Sequence, residues 1–147
     1  MKILLAVDGS EGSKHATESI ARRPWPEGTE VRVLSVVELA LSGLQAAFEI
    51  PVFDASRLES QRAAAMERSQ KAIADAREVL ETAGLKTSES ISVLVAGPKE
   101  IILQEASTWG ADLIVLGSHG HGGALHFLLG RARHAGCSVE IIRGKAW

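Results

Sequence analysis

Short apolar runs alternate along this chain with longer stretches in which apolar residues recur every three or four positions. Ile3 to Val7 and Leu113-Ile114-Val115-Leu116 are unbroken runs rich in branched side chains, the pattern of parallel strands buried on both faces. Val31-Arg32-Val33-Leu34-Ser35-Val36-Val37 alternates at first and is nearly all apolar at its end. That predicts a strand inside a sheet or one place from its edge. Ile91, Val93 and Val95 alternate with Ser92 and Leu94 as a third strand, and Ser138 to Arg143 reads as a last one.

The helical stretches lie between. Asp8-Gly9-Ser10 offers Asp8 or Ser10 as a helix cap. Ala16, Ile20 and Thr17 give that helix its inner stripe, and Arg22-Arg23 suit its C-terminal end. Pro24-Trp25-Pro26-Glu27-Gly28 stops it, with Trp25 packed over the helix end. From Arg57 to Ala83, Met66, Ile73 and Leu80 recur at heptad spacing with Ala65, Ala72 and Val79 beside them. Glu67, Lys71, Asp75 and Glu78 form a solvated surface, and Gly84 is placed to end the helix. Gly97-Pro98 begins a helix, with Pro98 near its first position; it buries Ile101, Ile102, Leu103 and Ala106 and ends near Trp109-Gly110. Glu38 to Ser56 has no clear period. Gly43 and Pro51 interrupt it, yet Leu41, Leu44, Phe48, Ile50, Val52 and Phe53 make it too apolar for a free linker. It reads as a long connection partly folded against the body, and covering a ligand or a partner subunit are the alternatives.

Strands alternating with helices imply an α/β fold: a doubly wound parallel sheet with right-handed crossovers. In such sheets ligands bind at the carboxyl ends of the strands, where the strand order reverses. The first and fourth strands are the expected neighbours there, which brings Asp8 and Gly117 together. After Leu116 the composition changes to Gly117, Gly120, Gly122 and Gly123, with Ser118, His119 and His121 between them. Glycines free the backbone N–H groups to close on an anion such as a phosphate. A sharp turn is the other reading of the same glycines.

Composition narrows the function. The 147 residues suit one domain with a single core. A net charge of −2 without a basic block speaks against nucleic acid as the main partner. Cys137 is the one cysteine, so no disulfide within the chain and no cysteine-based metal site is expected. The apolar run after Met1 is too short for a signal peptide or a membrane span, which leaves a cytoplasmic protein, with no membrane partner, as the expectation. His119 and His121 lack a compellingly placed third ligand, with His126 and His134 near in sequence and Glu140 remote, so they read as polar loop residues rather than a metal site. Ser118-His119 is not a nucleophile pair, because adjacent side chains diverge and no orienting acid is evident. The chain also lacks a lysine of the P-loop kind after its glycines.

The segments ILLAVDGSEGS, VRVLSVVE, Gly97-Pro98, ADLIVLGSHGHGG and RHAGCSVEIIR together resemble the universal stress protein family over nearly the whole chain. Nucleotide-binding members carry glycine, two residues, glycine, nine residues, then glycine with serine or threonine. Gly117, Gly120 and Gly130 keep that spacing. The resemblance implies a five-stranded, three-layer α/β/α sheet of the adenine-nucleotide alpha-hydrolase-like, flavodoxin-like kind. It implies binding of ATP or a related adenine nucleotide, with or without Mg²⁺, in a dimeric stress-response signalling module. Asp8 would face the adenine and ribose end with Ala6 and Val7 beside it, and Val36 would pack on the base. Leu116 and Gly117 match ribose-side positions. Gly120 and Gly130 match glycines whose N–H groups meet the phosphates, and His119, Gly122 and Arg131 complete the implied set. The homodimer would form through the last strand, Val139 to Ile142.

One departure bears on phosphate binding. The residue after Gly130 is Arg131 where the family has serine or threonine. Only Arg131-Ala132 separates Gly130 from Arg133-His134-Ala135, so about five residues are absent against the family's pattern, more than one helical turn. A true deletion, a segment missing from this sequence, and replacement of the lost helix end by Arg131 and Arg133 as phosphate ligands are the three accounts. They lead to two functional readings: a nucleotide-binding dimer, or a family member that binds no nucleotide and acts only as a dimeric interaction protein. An enzymatic role would be at most a slow ATPase, because no base or nucleophile is poised by spacing.

Overall fold

The computed structural model describes residues 1–38, 55–94, 98–117 and 137–143. Strands β1 (Lys2–Ala6), β2 (Glu30–Glu38), β3 (Lys86–Leu94), β4 (Leu113–Gly117) and β5 (Ser138–Ile142) form one sheet in the order β3-β2-β1-β4-β5. Every neighbouring pair is parallel. The described helices are α1 (Glu11–Arg22), α2 (Ala55–Thr82) and α3 (Pro98–Trp109). The chain moves outward from β1 through β2 to β3, then returns to the other side of β1 for β4 and β5. The order therefore reverses between β1 and β4, the two strands expected to meet there.

β1 is the centre of the sheet and the most deeply buried strand. Ile3, Leu5 and Val7 face one layer with Ala16 and Ile20 of α1 and Ile73, Ala76 and Leu80 of α2. Leu4 and Ala6 face the other with Leu34, Ile114, Leu116 and Ile102 and Ala106 of α3. Ile3 to Val7 are all at most 3% exposed, which explains why the run reads as continuously apolar rather than alternating. Each fully buried Leu or Ile contributes roughly 1.5–3 kcal/mol.

The helix ends follow local chemistry. Ser10 caps α1, its Oγ accepting the Ser13 N–H at 3.2 Å. Gly84 ends α2 with φ +86°, and the Leu85 and Gly84 N–H groups donate to the Leu80 and Glu81 carbonyls, a Schellman closure. Trp25 Nε1 donates to the Ile20 carbonyl at 2.8 Å, over the end of α1. Pro98 is the first residue of α3. At its other end, Trp109 lies between Arg32, 4.6 Å from the ring centroid, and Lys2, at 5.4 Å. Arg32 also pairs with Glu105 at 2.9 Å, which fixes the C-terminal half of α3 against β1 and β2.

Two elements differ from the sequence pattern. β3 begins at Lys86, five positions before Ile91, and its ladder with β2 runs from Glu30↔Lys86 to Glu38↔Leu94. β3 is an edge strand, where polar residues are tolerated and deter further pairing. Arg77 holds Thr87 at 3.0 Å and Glu89 at 3.1 Å. In α2 the buried stripe is Ser69, Ile73, Ala76 and Leu80, whereas Val79 is 40% exposed. Successive helix residues turn about 100°, so Val79 falls off the stripe that Leu80 occupies. Ser69 is buried because its hydroxyl meets that of Ser35 on β2 at 2.9 Å. Val95 and the connection at 39–54 lie outside the described residues, while Ala55 and Ser56 belong to α2. No helix among the described residues is long and apolar enough to cross a membrane.

Leu80→Ala should lower stability by about 2–5 kcal/mol, while Val79→Ala, one position along, should cost under about 1 kcal/mol. The midpoint of urea unfolding at constant slope measures both.

Candidate functional site

The carboxyl ends of β1, β2 and β4 form the crevice at which the strand order reverses. Asp8 stands at its rim, exposed, just beyond β1. Its Oδ1 accepts the Ser10 N–H at 2.9 Å, and Gly9 between them takes φ +83°, a conformation that glycine enters without strain. This turn leads directly into α1, so the carboxylate sits beside the positive end of the helix dipole.

Three of the predicted residues share one side of this crevice. Ala6 (3% exposed) and Leu116 (2%) belong to the α3-side core. Val36 is half-buried and packs against the same cluster. Ala6 pairs with Leu34, two residues before Val36 on β2, and Leu5 pairs with Val115, the residue before Leu116. The three side chains thus make an apolar wall across the ends of three adjacent strands. Val7 points the other way, 2% exposed in the core beneath α1 and α2, and its N–H donates to the Leu34 carbonyl at 2.9 Å.

Gly117 ends β4, paired with Ile142 of β5. A Cβ at this position would lie 2.5 Å from the Gly12 carbonyl oxygen and 2.7 Å from Ser13 N. The end of β4 and the first turn of α1 therefore meet backbone to backbone. Gly12 and Ser13 are themselves buried. The sequence reading missed Gly12 as the partner of this contact. The available signal was a glycine in the first turn of a helix, where it is unfavourable unless packing requires it. His119, Gly120, Gly122, Gly130 and Arg131 lie outside the described residues, as do His121, His126 and His134.

A separate cleft of about 410 Å³ opens between α1 and α2, on the face away from Ala6, Val36 and Leu116. It reaches Asp8 at one end and is floored by Val7, Ala72 and Ala76. Its rim carries Lys14, Arg68 and Lys71 against Asp8, Glu18 and Asp75, three cations facing three carboxylates. No group of three or more His, Cys, Asp or Glu side chains is placed to hold a metal among the described residues. Cys137, before β5, is buried at 8% exposure. Burial pushes its thiol pKa up, and the nearby Asp112 charge adds to this, against a lowering hydrogen bond at Ile114.

Comparison with known proteins assigns the family. A model of the universal stress protein family matches residues 1–143. The chain belongs to that family. Universal stress protein A homolog 2 of Coxiella burnetii is 39% identical over 67 residues, which span 42% of this chain and 45% of that relative. The match thus spans less than half the length of that curated relative. A universal stress protein family structure from Burkholderia pseudomallei is 26% identical, with a TM-score of 0.72 over 96% of this chain and 94% of the other. A universal stress protein family protein from Arabidopsis thaliana, solved with AMP bound, shares the fold at 18% identity. Its TM-score is 0.70 over 99% of this chain and 93% of its own.

Two outcomes test this geometry. Gly117→Ala should cost about 1–3 kcal/mol through overpacking against the α1 backbone, read from urea unfolding; an unchanged midpoint would contradict the close approach. Cys137 should react with an aromatic disulfide reagent at pH 8 far more slowly in the folded protein than in the unfolded one, because a raised pKa leaves less thiolate.

Proposed function

We propose that this universal stress protein is an adenine-nucleotide-binding module, with the base and ribose held at the crevice between β1 and β4 on the α3 side. The observation that carries the reading is the apolar cluster of Ala6, Val36 and Leu116 at the carboxyl ends of three adjacent strands, with Asp8 two residues after Ala6 in the chain. An adenine ring needs a flat apolar surface. Its amino group, or a ribose hydroxyl, needs an acceptor. Ala6 is small enough to leave depth between its larger neighbours. AMP bound to the Arabidopsis relative supports the class of ligand, and the spacing of Gly117, Gly120 and Gly130 supports a phosphate end.

The α1–α2 cleft is the poorer candidate. Its rim charges balance, so it has no net attraction for a di- or triphosphate. ATP with Mg²⁺ is the fuller form of the ligand, and AMP is the minimal one. The protein is proposed to work in the cytoplasm as a homodimer through β5, Val139 to Ile142.

A second reading has its own observation. Arg131 stands where a serine or threonine is expected and the following segment is short, while packing against α1 already accounts for Gly117. A dimeric interaction protein without nucleotide would have these features.

Isothermal titration with AMP, ADP and ATP, with and without Mg²⁺, separates the two. The first reading predicts saturable heat at one site per chain. At a hundredfold excess of free ligand over Kd it also predicts about 2.7 kcal/mol of added stability. Val36→Glu, folded by circular dichroism, should lose both. No heat and no thermal shift with millimolar ligand would leave the second reading standing; nucleotide retained through purification would end it.

A further inference from the structure

The cleft between α1 and α2 belongs neither to the closed core nor to the crevice at β1 and β4. Its volume of about 410 Å³ is that of a small-molecule pocket. Val7, Ala72 and Ala76 make its floor, and Val79 lies beside them. Val79 is one of two large apolar side chains left exposed among the described residues, at 40%. A ligand with an apolar body would remove it from water.

The charges of the cleft are ordered along its length. α1 and α2 each leave the carboxyl end of one strand and return to the amino end of the next parallel strand, so the two helices run in the same direction. On α1, Lys14 precedes Glu18; on α2, Lys71 precedes Asp75, with Arg68 one turn before Lys71. Each wall thus carries a cation toward the carboxyl end of the sheet and a carboxylate about 6 Å farther along, four residues at 1.5 Å of rise. Ion pairs at the edge of the cleft sharpen this order. Lys14 Nζ is drawn toward the first turn of α1 by Glu11 at 3.4 Å, and Glu18 toward the last by Arg22 at 3.5 Å. These pairs are exposed and weak, so both side chains can turn to a ligand. Arg68, Lys71 and Asp75 make no ion pair among the described residues. Asp8 shares the cationic end, its Oδ1 accepting the Ser10 N–H. Three cations therefore stand against one carboxylate at that end, and Glu18 and Asp75 without a cation at the other.

A simple anion is attracted at one end of such a cleft and repelled at the other, and so is a simple cation. A molecule carrying both charges gains at both ends. We propose that the α1–α2 cleft binds a small zwitterion, with its carboxylate at Lys14, Arg68 and Lys71, its ammonium group at Glu18 and Asp75, and an apolar linker over Ala72, Ala76 and Val79. Asp8 disfavours a doubly charged anion at the cationic end, and the planar Arg68 fork suits a carboxylate. The linker must hold the two charges about 6 Å apart, the offset along each wall. The site is separate from the proposed nucleotide crevice and does not depend on it.

Backbone amide shifts of the full chain at low salt test this, with 5-aminopentanoate as the probe. Pentanoate lacks the ammonium group, pentylamine lacks the carboxylate, and 2-aminopentanoate has both charges on adjacent carbons. The probe should give saturable shifts at Lys14, Thr17, Ala72, Asp75 and Val79. Each of the three controls should bind roughly fivefold or more weakly, the loss of the ion pairs at one end. Lys71→Ala and Asp75→Ala change exposed side chains and should leave the fold intact. Each should weaken the probe, but Lys71→Ala should not weaken pentylamine, nor Asp75→Ala pentanoate. No saturable shift with the probe, controls that bind as well as the probe, or variants that bind it as the wild type does would overturn the inference. Nucleotide binding is read separately at Ala6, Val36 and Leu116, so failure at either site leaves the other reading standing.

Discussion

Burial of β1 on both faces is the constraint from which the rest of this structure follows. Five consecutive residues, Ile3 to Val7, are almost wholly removed from water, so the strand needs a helical layer on each side and a strand at each edge. A chain that leaves β1 through α1 and α2 covers one face. It covers the other only by returning with α3, and that return places β4 beside β1. The crevice between their carboxyl ends is thus a consequence of the core. Asp8 and Gly117 come together because the two most apolar runs of the chain pack side by side.

α1 connects this crevice to the far edge of the sheet. Its first turn touches the end of β4 through Gly12 and Gly117, with no side chain between the two backbones. Its last residue is followed by Arg23, which grips Glu140 in β5. The helix is twelve residues long and capped at both ends. The crevice and the edge strand thus lie at the two ends of one helix.

Much of this was legible in the sequence because burial on two faces leaves an unmistakable pattern. The runs of β1 and β4, the Ser10 cap, the Gly84 stop and the start of α3 at Pro98 were read from local chemistry that the tertiary structure reinforces. The start of β3 was not legible: Lys86-Thr87-Ser88-Glu89 has no apolar period, and pairing with β2 holds it in the sheet. Val79 was misplaced by extending a heptad along a helix whose true period is 3.6. Ser35 and Ser69 satisfy each other in the core, a pairing across distant residues that composition alone does not reveal. At the crevice, the sequence brought Ala6, Val36, Leu116 and Asp8 together by family likeness, whereas the contact of Gly117 with Gly12 emerged only from the packing of α1.

Backbone amide chemical shifts during titration with AMP address the central claim most directly, because the crevice and the α1–α2 cleft lie on opposite faces of the sheet. Binding at the crevice predicts saturable shifts at Ala6, Val36 and Leu116, with Lys71, Asp75 and Val79 unmoved. Shifts concentrated on those three α2 residues, or none at saturating AMP, would contradict it.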